Sequence, residues 1–68
     1  MRYAVVIEKA GDGFSGYVPD LPGCVAAGES VAQVRAALAE VIPFHLDGLR
    51  AEGAAVPLGE SEVGWVEV

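Results

Sequence analysis

Apolar and polar positions along this chain follow two different periods. From Arg2 to Glu8 the side chains alternate, with Tyr3, Val5 and Ile7 toward one side and Ala4 and Val6 toward the other, which predicts a strand. Lys9-Ala10-Gly11-Asp12-Gly13 reads as a glycine-rich hairpin loop. Phe14 to Val18 predicts a second strand, with Phe14 and Val18 on one face and Ser15 and Tyr17 on the opposite one. Cys24 to Gly28 predicts a third short strand of small residues. From Ser30 the period becomes helical: Val31, Val34, Leu38, Val41 or Ile42, Leu46 and Leu49 fall on one stripe, with Arg35, Glu40, Asp47 and Arg50 toward the other side. Ser30 followed by Gln33 fits a capping box. Pro43 removes one helical hydrogen bond and clashes with the preceding turn, so a kink is expected near Glu40 to Pro43. The stripe resumes in register beyond it, which predicts one helix rather than two. Gly53 is the expected stop. Ala54 to Ser61, containing Pro57 and Gly59, is a loop, and Glu62 to Val68 alternates again as a final strand.

The expected order is therefore β-β-β-α-β, an α+β fold. A right-handed crossover through the helix would lay the last strand beside the first and parallel to it. The result is a four-stranded mixed sheet with one long helix packed on one face. The other face and both sheet edges lack partners, which points to a homo-oligomer, dimer or tetramer.

Between the second and third strands stands Pro19-Asp20-Leu21-Pro22-Gly23. Two prolines fix φ, Gly23 supplies whatever φ remains to be met, and Asp20 can bond its own turn backbone. A rigid, polar-tipped loop on a small sheet is a natural place for a binding surface.

At 68 residues the chain predicts one small domain whose core alone is marginal. Its one cysteine (Cys24) and one histidine (His45) cannot form an internal disulfide or a Cys/His zinc site, so no metal or cofactor is expected. A partner subunit is the remaining way to stabilise so small a domain, and 53% hydrophobic content leaves surface for it. Ten acidic residues against four basic ones give a net charge of −6. That disfavours direct contact with nucleic acid and favours a basic protein partner. No apolar run reaches membrane-spanning length, no signal peptide opens the chain, and a single thiol is compatible with a reducing cytoplasm.

The run Tyr3-Ala4-Val5-Val6-Ile7-Glu8, then Gly13-Phe14-Ser15-Gly16-Tyr17-Val18-Pro19-Asp20-Leu21-Pro22-Gly23-Cys24, then Ala27-Gly28-Glu29-Ser30 leading into a helix, resembles the HicB-like antitoxins. These are the small partners of HicA-type, mRNA-cleaving toxins. The likeness covers essentially the whole chain, although the family's helix is richer in Glu and carries Asn near Val34 to Ala36. It implies a partial ribonuclease-H-like fold without ribonuclease activity, and a basic HicA-type toxin as partner. Longer members add a C-terminal DNA-binding module. Residues 1–68 match only the N-terminal domain, so a single domain without that module is expected.

Ser15, Tyr17, Asp20 and Leu21 are the candidate partner-binding residues, with Pro19, Pro22 and Gly23 shaping the turn. Each has a plainer reading. Asp20 can simply hold the turn, and Ser15 and Tyr17 can form a solvated or dimer-covered face. Cys24 reads as a small buried hydrophobe and His45 as a surface or half-buried helix histidine. Trp65 reads as a core or dimer contact, and Glu60, Glu62 and Glu67 as solvated charges. The leading function is non-enzymatic masking of an RNA-cleaving toxin. An orphan structural oligomer is the second reading. A Mg²⁺-dependent nuclease is the third, and it suffers from having Glu8 only at the end of the first strand, with Asp12, Asp20 and Glu29 in loops.

Overall fold

A computed structural model describes all 68 residues. It contains β1 (Val6–Ala10), β2 (Gly13–Tyr17), β3 (Val25–Gly28) and α1 (Val31–Ala51). The strands form an antiparallel meander in the order β1-β2-β3. The register places Val6 opposite Tyr17 and Tyr17 opposite Val25. One row further along, Glu8 faces Ser15 and Ser15 faces Ala27.

The α+β class holds, but the sheet has three strands rather than four. Glu62 to Val68 carries a strand's alternation and no ladder: no backbone–backbone hydrogen bond involves any residue beyond Ala54. A strand exists only through its neighbour, and this segment has none. The same cause shortens the first strand, which starts at Val6 rather than Arg2. Continuing the β1–β2 ladder would set Ala4 against Pro19, which has no N–H to give.

α1 is one unbroken helix through Pro43. Ser30 caps it, its Oγ accepting the Gln33 N–H at 3.1 Å. The Gln33 side chain reaches back one residue further than in a standard capping box, accepting the Glu29 N–H through Oε1 at 2.8 Å. At the far end Gly53 N–H donates to the Arg50 carbonyl and Ala54 N–H to that of Leu49, closing the last turn. The stripe expected to be apolar packs inward at Val34, Leu38 and Leu46, with Val41, Ile42 and Leu49 half-buried. Val31, the first helical residue, departs from it and is exposed.

The core has two halves. Val34, Leu38 and Leu46 come from the helix, while Val18, Leu21 and Cys24 come from the loop between β2 and β3. That loop is built inward at every third residue. Leu21 N–H donates to the Val18 carbonyl at 3.0 Å and Cys24 N–H to that of Leu21 at 3.1 Å, while Val18 N–H returns to Cys24. Two consecutive turns thus aim three apolar side chains at α1 and leave Pro19, Pro22 and Gly23 at the surface. Gly23 adopts φ +83°, a left-handed conformation costly for any residue with a Cβ. Between the two halves Gly16 lets the helix settle onto the sheet, because a Cβ there would lie 2.7 Å from Val34 Cγ1 and 3.0 Å from Leu38 Cδ1.

Candidate protein-binding surface

All of α1 lies on one side of the sheet, so side chains that alternate away from it meet water. Phe14 and Gly16 point toward the helix, and Ser15 and Tyr17 point away, as strand period 2 requires. Pairing extends this face sideways. Val6, Tyr17 and Val25 form one cross-strand row, and Glu8, Ser15 and Ala27 form the next. Tyr17 is 43% exposed and Val25 62%. The face is therefore an apolar row bordered by a carboxylate, open to a partner with apolar contacts and a basic rim.

Of the four residues singled out from the sequence, Ser15 and Tyr17 share this face. Leu21 does not. It is 0% exposed and serves the core, because the double turn directs it at the helix. Asp20 does something that local spacing does not reveal. Its carboxylate leaves its own turn and reaches the segment after the helix, accepting the Ser61 N–H at Oδ2 (3.0 Å) and the Ser61 hydroxyl at Oδ1 (2.9 Å). The backbone N–H and hydroxyl of Ser61 hold the Asp20 carboxyl below the ordinary aspartate range. A second tie lies alongside: the Tyr3 hydroxyl donates to the Pro57 carbonyl at 2.6 Å. Residues 57–61 are thus fastened beside the start of the chain.

Beyond these ties the chain is loose in its packing. Trp65, expected in the core or a dimer contact, is 93% exposed, so a core role within the single chain is excluded. Between residues 4–7 and 61–65 runs a groove of about 600 Å³, with Pro19 and Arg35 on its walls. Cys24 is buried, and that burial pushes its thiol pKa up, away from reactivity. His45 is half-buried on α1. No group of three or more His, Cys, Asp or Glu side chains converges as a metal site would require. No helix is long and apolar enough to cross a membrane.

Val6, Val25 and Ala27 belong to the open face and were not singled out from the sequence. The alternation in β3 was the available signal, but three or four small residues gave no face until their register against β2 was fixed. Ser61 carried no signal, because its partner stands 41 positions away.

Comparison with known proteins bears on this surface. The family model described as HicB_like antitoxin of bacterial toxin-antitoxin system matches residues 3–66. An uncharacterised 14.9 kDa protein from the rep-hol intergenic region of Haemophilus phage HP1 (strain HP1c1) is 37% identical over 57 residues, which are 84% of this chain and 43% of the phage protein. The chain thus spans less than half the length of that relative. A chain in the solved structure of a HicA3 and HicB3 toxin-antitoxin complex superimposes with a TM-score of 0.75 at 33% identity, covering 88% of this chain and 70% of the other.

Proposed function

The chain belongs to the HicB-like antitoxins of bacterial toxin-antitoxin systems, and on that premise we propose that it neutralises a HicA-type toxin by covering it, without catalysis of its own. The supporting observation is the open sheet face. It presents Tyr17 and Val25 as contact area, with Ser15 as an adaptable polar group and Glu8 at the margin. An RNA-cleaving protein must carry a basic surface to hold phosphates. A chain of net charge −6 is attracted to such a surface and competes with RNA for it. Occlusion then needs no reacting group on this chain. The match to a chain from a HicA3 and HicB3 complex supports the same class of partner.

Asp20 has a supporting part in this reading. Both oxygens of its carboxylate accept from Ser61, so it shapes the rim of the surface by holding the segment after the helix. Leu21 contributes through the core alone. Action in the cytoplasm, where mRNA is cut, follows from the proposed target.

Co-expression with a small basic HicA-type toxin, followed by affinity capture of one partner, tests the proposal. Recovery of a stable complex supports it, and Tyr17→Asp in the open face should abolish recovery while leaving the fold intact. Recovery of this chain alone, correctly folded, overturns it.

A further inference from the structure

We infer that the toxin contact continues from the open face round the edge of β1, with an extended segment of the toxin lying in the groove between residues 4–7 and 61–65. This second contact rests on the toxin reading above and goes further by fixing where the partner is gripped.

Both walls of the groove are backbone without a partner. β1 is an edge strand, paired with β2 on one side and with no strand on the other. About half of the N–H and C=O groups along such an edge point outward, away from the paired neighbour. On the far wall, residues 61–65 take part in no backbone–backbone hydrogen bond. An extended peptide entering here meets donors and acceptors, which is how a sheet takes a strand from another protein. Apolar area comes with it, because Val63 and Trp65 line the far wall and stand largely in water. The ties from Asp20 to Ser61 and from Tyr3 to Pro57 hold the base of that wall. The groove therefore stands open before the partner arrives, which lowers the ordering cost of binding.

Two observations select the toxin as occupant. Val6 lines the groove and also belongs to the cross-strand row with Tyr17 and Val25, so the groove opens directly from the face assigned to the toxin. A partner seated on that row reaches the groove without leaving the surface. Inside the groove the charges of Arg35 and Glu62 offset one another, so nothing there holds a free ion. Recognition falls to backbone and apolar side chains, while the net charge of −6 draws in the basic protein that carries them.

Gly64 lines the far wall, a Cβ added there meets nothing within 4 Å, and its φ lies outside the left-handed region. Gly64→Trp in the full chain thus fills the groove without disturbing the fold, which circular dichroism checks. With a purified HicA-type toxin as probe, this variant should bind about tenfold more weakly than the unaltered chain. Hydrogen exchange of the unaltered chain gives the second readout. Toxin should slow the amides of residues 4–7 about tenfold and leave those of residues 8–10, on the same strand beyond the groove, unchanged. Equal affinity of the two chains, or equal exchange at residues 4–7 with and without toxin, overturns the inference and leaves masking by the open face standing. Failure of the unaltered chain to bind at all removes the proposed function and this contact with it.

Discussion

Asp20 holds Ser61 by both carboxylate oxygens, at 3.0 Å and 2.9 Å, and so fastens the β2–β3 loop to the segment that follows the helix. The two residues stand 41 positions apart. Without this pair, nothing on the loop side would define where residues 59–65 begin their course along β1.

The latch is acid-sensitive in a defined direction. Hydrogen bonds from Ser61 depress the Asp20 pKa in the folded state. A depressed carboxylate contributes stability that is fully present above the unfolded value, roughly 3.9, and lost as pH falls through the lower folded value. Trp65 is the one tryptophan and reports on the segment directly. Its fluorescence anisotropy should hold steady from neutral pH down to the ordinary aspartate range and fall below it. Asp20→Ala should show the low value at every pH. A pH-independent anisotropy, identical in both proteins, would mean that the latch does not restrain the segment.

Gly16 is the closest approach of sheet to helix. A methyl group there meets Val34 Cγ1 at 2.7 Å, Leu38 Cδ1 at 3.0 Å and the Val6 carbonyl oxygen at 3.2 Å, so the helix must move or the strand must bend. Overpacking of this kind costs about 1–3 kcal/mol. Gly16→Ala should lower the urea midpoint accordingly, without changing the m-value. An unchanged midpoint would show that α1 rides higher on the sheet than described.

Leu21 is the largest fully buried side chain of the loop, packed with Leu38 and Val34 in the core. Leu21→Ala should cost about 2–5 kcal/mol, a large share of the total stability of a 68-residue chain. Pro22→Ala at the surface should cost far less. Thermal denaturation followed by circular dichroism separates the two, and equal effects would contradict the inward-facing double turn.

Much of this was legible in the amino-acid order. Alternation in Phe14 to Val18 placed Ser15 and Tyr17 away from the helix, and Ser30 with Gln33 marked the helix start to the residue. The β2–β3 loop was read as a shaped turn with Cys24 buried, which it is, but the burial of Leu21 was missed. Proline and aspartate announce a surface, and the i, i+3, i+6 spacing of Val18, Leu21 and Cys24 is too short to stand out as a pattern. The fourth strand failed for a different reason. Alternation in Glu62 to Val68 describes a capacity to pair, and in the fold no backbone–backbone hydrogen bond joins this segment to any strand. The Asp20–Ser61 pair is tertiary from the outset and left no local trace.

Toxin masking is most directly tested by RNA cleavage. A purified HicA-type toxin is incubated with a labelled mRNA while the folded chain is titrated in. Cleavage should fall in proportion to added chain and vanish once the toxin is matched, with Tyr17→Asp restoring it. Cutting at the full rate in the presence of excess folded chain would contradict masking outright.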